Sequence, residues 1–521
     1  MKRFTKAVAL TLTASMLISF ASCSKKEEKE KEEEEETTVT TTEEEETSQT
    51  RARPTSAPTP TPTPRPTATP TLSPSPTPVP FETIAFAEGM DLFPTFSEED
   101  IYGGGEFLEV CFERIITDDP DEYRYGFILS DASAAAYPEL KASLDALVLP
   151  EHVLGCAIRR ADSSVFSYVY SYDGETEAYN YNSSTGELIT LDALFSDMDG
   201  LCAALNVSAA DLEDENNSFV IEPSGVTFVF GSDSGDVEYK TVLYQGNESL
   251  FAMSDIFGMS AYAMEFRDLY EYDFEYTVDL GDDGMPDVIA GRSEINQNTN
   301  CVIVSVNGQE CASDEDDYLF GFGEISPTLI CADGSYYLAI DVPTDNDYHT
   351  TCFFDITSGT PSYMGSASGD LTGAPLSTAN PYMSQYSPLE TEITHCLTVD
   401  PYHMFLRQRT NLFSTYDTYY PMPVNALPAN REGYGICNFH LVLTALTDVP
   451  ATDLDTGADT VVPEGTVLRI ALADKPSGVF VLQDIETGTC YVLTVDDPEE
   501  AATSIGGADQ YELFAGVYYS G

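Results

Sequence analysis

One acidic segment in the middle of the chain has residue types and spacing that suit a hard metal ion. It reads DLGDDGMPD from Asp279 to Asp287, with carboxylates at positions 1, 5 and 9 and Gly284 at position 6. Calcium needs several oxygen ligands that converge from one tight turn, and glycine lets the backbone make that turn. We therefore predict a Ca²⁺ site with Asp279, Asp283 and Asp287 as side-chain ligands and Met285 as a carbonyl ligand.

The same segment resembles the Asp-x-Asn-Gly-Asp-Gly-x-x-Asp loop of FG-GAP and VCBS propeller-type repeats. It departs from that loop at Gly281, which replaces an Asn or Asp ligand. It is not an EF-hand, because Ala290 stands where a bidentate Glu is needed. The alternative is an acidic β-turn that holds no metal. A propeller needs several copies and the sequence has one, so we predict a small all-β domain over 263–392.

Motifs of catalysis are absent from the sequence. It contains no HExxH and no GxSxG. Its five histidines are scattered: His152, His349, His395, His403 and His440. Trp is absent, which argues against a dedicated carbohydrate surface, although 31 Tyr residues offer a substitute. We therefore predict a protein that is not an enzyme, and a pair of carboxylates at glycosidase separation is the alternative.

The N-terminus predicts export and lipidation. Basic Lys2 and Arg3 precede a short apolar stretch, residues 7–20, which is the pattern of a signal peptide over residues 1–22. The stretch is too short for a comfortable membrane span of about 20 residues. The end of the leader, FASC, resembles the bacterial lipobox, which implies diacylglycerol on Cys23. Phe20 replaces the usual Leu, and an ordinary secreted protein is the alternative.

A stalk follows the predicted lipid anchor. Residues 24–50 are Lys/Glu and Thr/Glu runs, a composition that cannot bury a core. Residues 51–80 have Pro at nearly every second position, which favours polyproline II geometry and a reach of roughly 90 Å. We predict that residues 23–80 form the lipid anchor and a disordered stalk that holds the folded part away from the membrane.

The charge of the chain limits its partners. It has 88 acidic and 23 basic residues, a formal net charge of −65. Such a surface repels phosphate backbones, so we predict no nucleic-acid partner. It also repels anionic lipid headgroups, so the two acyl chains on Cys23 must provide the membrane attachment.

The first folded region contains a predicted helix over Tyr137–Leu149 among short aromatic and β-branched strands. The run YNYNSSTGELITLDALF, Tyr179–Phe195, resembles the signature of the extracellular domain of the lysozyme-sensing anti-sigma factor of the RsiV type. That domain also precedes the catalytic domain of some peptidoglycan deacetylases. The resemblance covers residues 100–258 and implies an α+β domain, which we place at 81–262, and lysozyme binding. The family's Gly-Gly-Ala-His turn is replaced here by Asp173–Thr176.

The last region, 393–521, has short strands from Phe439 onward at intervals of about 8–12 residues. In pattern it resembles a bacterial SH3-like domain, a fold that often binds wall peptides. The predicted fold class is therefore mainly β with a minor α+β component. Three modules, an α+β domain, a small all-β meander and an SH3-like small barrel, follow the disordered stalk.

These observations predict a location more directly than an activity. We expect a non-catalytic lipoprotein on the extracellular face of the bacterial cytoplasmic membrane. It would act as a tethered binding or sensing module for a cell-wall component or an extracellular protein. A peptidoglycan-acting enzyme or accessory subunit is one alternative, and a lysozyme-binding protein is another.

Overall fold

The computed structural model describes residues from 107 to 519, with gaps. The described ranges are 107–116, 123–147, 149, 153–172, 175–214, 217–231, 237–254, 256–257, 259–266, 272–281, 283–295, 300–314, 324–344, 348–373, 375–378, 392–395, 399–427, 435–437, 442–498 and 503–519. The predicted signal peptide (1–22), the lipidation site Cys23 and the stalk (23–80) lie outside them. All the described residues belong to one compact unit.

The predicted fold class is confirmed, because the described chain is mainly β with a few short helices. Short runs of aromatic and β-branched residues, divided by Gly, Asn and Asp, favour antiparallel strands joined by tight turns. None of the described helices is long and apolar enough to cross a membrane.

The first region combines a hairpin, two three-stranded antiparallel sheets and most of the described helices. Its strands are β1 (Val110–Ile116), β2 (Tyr123–Leu129), β3 (Val153–Ala161), β4 (Val165–Tyr172), β5 (Glu175–Asn182), β6 (Asn217–Ile221), β7 (Gly225–Gly231) and β8 (Val237–Leu243). Its helices are α1 (Asp131–Ala136), α2 (Pro138–Asp145), α3 (Leu191–Leu194), α4 (Met198–Leu205) and α5 (Ala209–Leu212), with a 3₁₀ turn at Glu248–Leu250. β1 pairs with β2, and the sheets are β3-β4-β5 and β6-β7-β8.

Strand β4 is the centre of this region and is buried on both faces. Because side chains alternate along a strand, Phe166 and Tyr168 share one face, where both rings contact Phe127 of the β1–β2 hairpin. Val165, on the other face, belongs to the core that includes Phe228 of the second sheet. The strand therefore joins the two cores of the region.

The predicted helix at Tyr137–Leu149 is observed as α2, which begins at Pro138 and ends at Asp145. Its apolar residues Leu140 and Leu144 are buried, as their helical spacing predicts. The helix stops earlier than predicted, which is consistent with Pro150, because a proline disfavours helical backbone in the residue before it.

The middle region is a pair of facing antiparallel sheets. Its strands are β9 (Tyr262–Glu265), β10 (Asp273–Val278), β11 (Asp287–Ile295), β12 (Asn300–Val306), β13 (Gln309–Ala312), β14 (Ser326–Ala332), β15 (Ser335–Pro343), β16 (His349–Asp355) and β17 (Ser362–Ser368). One sheet runs β10-β11-β12-β13 and the other β17-β16-β15-β14-β9. The two share one core, to which Phe274, Val304, Leu338 and Phe354 belong.

The last region contains one large antiparallel sheet that curls into a half-barrel, together with two separate two-stranded sheets. Its strands are β18 (Asp370–Thr372), β19 (Pro375–Thr378), β20 (Glu392–His395), β21 (Phe405–Asn411), β22 (Thr415–Pro421), β23 (Gly435–Cys437), β24 (Val442–Ala445), β25 (Val449–Asp453), β26 (Asp459–Val462), β27 (Val467–Asp474), β28 (Val479–Asp484), β29 (Cys490–Thr494), β30 (Ser504–Ile505), β31 (Ala508–Asp509) and β32 (Phe514–Ala515). A 3₁₀ turn lies at Val424–Ala426 and helix α6 at Gln510–Leu513. Leu443, Leu468 and Phe480 are in its core.

Strand pairing and packing cross the predicted boundary between residues 392 and 393. β18 pairs with β21, and β19 pairs with β20. The second face of the five-stranded sheet, with Ile330 and Phe353, packs on Met404 and Leu406 of the last region. The predicted domain limits and the SH3-like assignment stay predictions.

Five hairpin loops repeat one sequence pattern, Asn/Asp-x-x-Ser/Thr-Gly. In four of them the first side chain accepts a backbone N–H from the residue two or three positions later, which is the Asx-turn contact. The last residue of each loop is a glycine with φ between 65° and 74°. The loops begin at Asn182, Asp355, Asp453, Asp474 and Asp484.

We expect these glycines to differ in how much they contribute to stability. A Cβ at Gly186 would lie 2.4 Å from the backbone oxygen of Glu139, whereas a Cβ at Gly488 would meet nothing within 4 Å. Both substitutions place alanine in the left-handed region, at a cost of about 1–2 kcal/mol. Gly186→Ala adds the clash with α2, so the melting temperature of this variant should be clearly lower than that of Gly488→Ala. Equal losses of melting temperature would contradict this packing.

Candidate functional site

A set of charged side chains, each of them buried or half-buried, lies where the first, middle and last regions meet. We call it the junction cluster. Its members are Arg159, Glu222, Glu265, Asp341, His349, Asp370, Arg407, Arg409 and Asp417. Charges are costly to remove from water unless they are paired, so the contacts within this cluster decide what it can do.

Arg159, in strand β3, is the centre of the first part of the cluster. Its Nε lies 3.9 Å from Oε1 of Glu222, and both side chains are 2% exposed. Its Nη1 donates to the backbone oxygen of Glu265 in β9, and its guanidinium lies 5.7 Å from the ring centroid of Tyr276 in β10. One arginine thus contacts both sheets of the middle region from the first region.

Glu222 follows strand β6 and has several partners besides Arg159. Its Oε2 accepts a hydrogen bond of 2.6 Å from Thr227, and its Oε1 accepts one from the Tyr276 hydroxyl. Burial raises the pKa of the Glu222 carboxyl, while Arg159, Thr227 and Tyr276 oppose this shift. Loss of these partners would leave a polar group unsatisfied in the interior, which costs stability.

The second part of the cluster concentrates carboxyl groups. Burial raises the pKa of Glu265 to about 7, with Arg159 opposing and the nearby Asp370 and Asp341 adding to the shift. Burial also raises the pKa of Asp370, with Asp341 adding, while Arg407 and His349 oppose. Burial and nearby like charges favour the protonated form of a carboxyl group, so Glu265 and Asp370 bind protons more readily than exposed carboxylates do.

Pairing of neighbouring strands brings together two further charged pairs of the cluster. Asp341 of β15 contacts Nδ1 of His349 of β16 at 2.9 and 3.1 Å. Asp370 of β18 lies opposite Arg407 of β21 and accepts from its Nε at 2.9 Å.

The cluster continues into the last region along strands β21 and β22. Asp417 lies 3.9 Å from Arg407 Nη1 and 3.3 Å from Arg409 Nε. Alternating charges therefore extend from the five-stranded sheet into the sheet of the last region.

Two of the five histidines have described side chains, and each contacts an aspartate through Nδ1. His349 is buried beside Asp341, and His403 lies 2.7 Å from Asp400. A carboxylate at Nδ1 fixes the orientation of an imidazole, which serves structure as well as catalysis. His152 and His440 lie outside the described residues. His395 ends strand β20, and only its backbone is described.

The predicted calcium ligands are brought into one turn between β10 and β11. Asp279 is buried, and its carboxylate accepts backbone N–H groups of Asp283 at 3.0 Å and Gly284 at 2.9 Å. Asp287 accepts from the backbone of Leu280 at 2.9 Å. Met285 is 65% exposed. N–H groups of the protein itself therefore hold the acidic turn together.

Asp282 of this loop lies outside the described residues. Within the described ranges, no group of three His, Cys, Asp or Glu side chains is arranged to hold a metal ion. Asp279, Asp283, Met285 and Asp287 as ligands, and Ca²⁺ as the cofactor, stay predictions.

Comparison of this chain with protein-family models, with curated proteins and with solved structures finds no match. The resemblances to the RsiV-type domain, to the FG-GAP and VCBS loop and to an SH3-like domain therefore stay predictions. The described geometry has to carry the functional argument.

Sequence reasoning missed the junction cluster. Its members are distant in the chain, since Arg159 and the Glu265 carbonyl are separated by 106 residues. The available signal was the scarcity of cations, because residues 81–521 contain 13 Lys and Arg. Arg159 and Arg160 stand together inside an otherwise apolar strand, which indicates buried partners.

Two substitutions in the acidic turn distinguish its contribution to folding from a role in binding calcium. Asp279→Ala removes a buried acceptor, so it should lower stability by about 1–3 kcal/mol with or without calcium. Asp283→Ala removes one exposed contact, to the Met285 N–H, so it should change little in the presence of a chelator. If calcium binds, it should raise the melting temperature of the wild type but not of Asp283→Ala.

The matched control for this experiment is Asp355→Ala, which removes a similar Asx-turn contact, to the Thr357 N–H. It should keep the calcium-dependent rise. If the melting temperature of the wild type is the same in calcium and in chelator, the loop is an acidic turn that binds no metal.

Proposed function

We propose that this chain is a non-catalytic, lipid-anchored protein of the bacterial cell surface. It binds or senses a cell-wall component or an extracellular protein at the outer side of the cytoplasmic membrane. The predicted leader, Cys23 and the Pro-rich stalk support the location. The β-rich regions that follow support a binding role, since binding residues are often carried on loops that a rigid scaffold positions.

The observation that carries the non-catalytic part of this proposal is that the charged groups of the junction cluster pair with one another. Arg159 contacts Glu222, Asp341 contacts His349, and Arg407 contacts Asp370. Such pairs hold neighbouring strands and sheets together. They support a structural role for the ionisable side chains of the junction cluster.

The charge of the surface indicates the class of partner. Residues 81–521 contain 13 basic and 76 acidic residues. Described cations are largely engaged within the protein, for example Arg292 with Glu310 at 2.8 Å and Lys141 with Asp145 at 2.6 Å. A neutral or cationic partner therefore suits this surface. A cationic protein such as lysozyme is the second candidate partner, and charge steering favours it.

Calcium is the proposed structural ion of the Asp279–Asp287 turn. This turn meets the first region, since a Cβ at Gly284 would lie 3.2 Å from the backbone oxygen of Gln245. An ion held there would stiffen a contact between the first and middle regions, which suits a protein exposed to extracellular calcium.

A peptidoglycan-acting enzyme is the alternative function, and Glu265 is the observation that favours it. A carboxyl group with a pKa of about 7 matches the requirement for a general acid at neutral pH. Perturbed carboxyl groups also occur in structural clusters, and the charges of Arg159, Asp370 and Asp341 that act on Glu265 favour that reading.

The location is tested by expressing the full chain with its own leader in a Gram-positive bacterium. The wild type should remain in the membrane fraction and incorporate labelled palmitate. Cys23→Ser should appear in the medium without label. Cys202→Ser, which alters a free thiol on helix α4, is the matched control and should behave as the wild type. Retention of unlabelled Cys23→Ser in the membrane would contradict the anchor.

The secreted Cys23→Ser chain then tests the binding role with purified peptidoglycan sacculi. The proposal expects the chain to sediment with the sacculi and to release no soluble fragments. Release of fragments that is abolished by Glu265→Gln would favour the enzyme. Binding to lysozyme at low ionic strength, without binding to sacculi, would favour the second partner.

A further inference from the structure

One carboxylate of the first region is surrounded by tyrosine rings. Glu177 of β5 lies opposite Tyr170 of β4 in the strand register. Tyr172 and Tyr179 lie on the same face of this sheet, because side chains two residues apart on a strand point the same way. We call these four residues the tyrosine–glutamate face.

The hydroxyl groups of all three tyrosines donate hydrogen bonds to the Glu177 carboxylate. Those of Tyr170 and Tyr179 donate to Oε2 at 3.1 and 2.8 Å, and that of Tyr172 donates to Oε1. The Tyr170 ring is stacked with the rings of Tyr172 and Tyr179, at centroid distances of 5.4 and 5.9 Å. This stacking holds the three hydroxyls around the carboxylate.

The tyrosine–glutamate face lies at the margin of the core of the first region. Tyr170 is buried, whereas Tyr172, Tyr179 and Glu177 are half-buried. Solvent therefore reaches the carboxylate and two of the three rings, and a partner that approaches from solvent can contact them.

The charge of Glu177 is not compensated within the described ranges, where no Lys, Arg or His side chain forms an ion pair with it. An ionised carboxylate has about four acceptor positions, so the three hydroxyls leave one, on Oε1. Tyrosine hydroxyls are neutral, and the faces of aromatic rings are electronegative. The tyrosine–glutamate face therefore favours a cation.

The junction cluster shows how this chain accommodates a cation in such surroundings. There the Tyr276 hydroxyl donates to the Glu222 carboxylate. Arg159 lies 5.7 Å from the Tyr276 ring centroid and 3.9 Å from Glu222 Oε1. A ring, a carboxylate that accepts from its hydroxyl and a cation thus form one unit. The tyrosine–glutamate face has the first two components of this unit.

We propose that the tyrosine–glutamate face binds a lysine side chain of a basic polypeptide. The ammonium group occupies the remaining acceptor position of Glu177 and lies against the rings of Tyr172 and Tyr179. One acceptor position suits an ammonium group, since a guanidinium group binds a carboxylate best through two. A glycan has no positive charge to compensate Glu177. This inference rests on the proposed binding role and assigns it a site.

The test titrates the full chain with a fluorescently labelled octalysine peptide and measures anisotropy. An ionic strength of about 0.15 M is used, at which charges more than about 8 Å away are largely screened. Glu177→Gln keeps an acceptor for the hydroxyls and removes the charge, so it should weaken binding about fivefold. Tyr172→Leu removes one ring and should weaken binding about threefold.

Glu187→Gln and Tyr239→Leu are the matched controls, because both side chains are exposed elsewhere in the first region. Each should change the affinity by less than about 1.5-fold. Equal effects of Glu177→Gln and Glu187→Gln would mean that the peptide responds to the general charge of the chain, and this would overturn the proposal.

Cross-linking of the wild type gives a second measurement that requires no variant to fold. Carbodiimide activates a carboxyl group, and a peptide ammonium group that has lost a proton then forms an amide bond with it as a urea leaves. Peptide mapping should find Glu177 among the main linked residues. Links at Glu187 and other exposed carboxyl groups without Glu177 would overturn the proposal.

The site and the proposed function can fail separately. If the chain binds sacculi or an extracellular protein and Glu177→Gln leaves that binding unchanged, the tyrosine–glutamate face is not the site, and the proposed function stands.

Discussion

A buried charge has to be paired, and this requirement governs how the three β regions of the chain meet. Arg159 contacts Glu222 behind it, the Glu265 carbonyl in front and the Tyr276 ring beside it. These groups come from the first region and from both sheets of the middle region. Because an unpaired charge in such a place is strongly unfavourable, separation of the regions there would carry a cost in stability.

Apolar packing supplies most of the driving force around this junction. The five-stranded sheet buries Leu338 and Phe354 against the four-stranded sheet and Phe353 against the last region. Because both faces of this sheet are covered, its charged residues Asp341 and His349 are buried and contact each other. Burial also raises the pKa of Glu265.

Local features of this fold were accessible from the sequence, and the junction was not. The turns at Ser184–Gly186 and Glu486–Gly488 and the start of α2 at Pro138 follow from short-range preferences of Asn, Asp, Gly and Pro. The mainly β class follows from strand composition. By contrast, Arg159, Glu222 and Glu265 meet only after distant strands have packed. The acidic turn was found because its residues are adjacent, but adjacency alone does not decide whether it binds metal.

The central claim is that buried charged groups join the regions. A double-mutant cycle with Glu222→Met and Tyr276→Phe tests it most directly, because the hydrogen bond between these two side chains crosses from the first region to the middle region. Urea unfolding should give a coupling of at least about 1.5 kcal/mol, because each single change leaves a buried group without its partner. The exposed pair Arg292 and Glu310 should give less than about 1 kcal/mol. Equal coupling at the two pairs would contradict the claim.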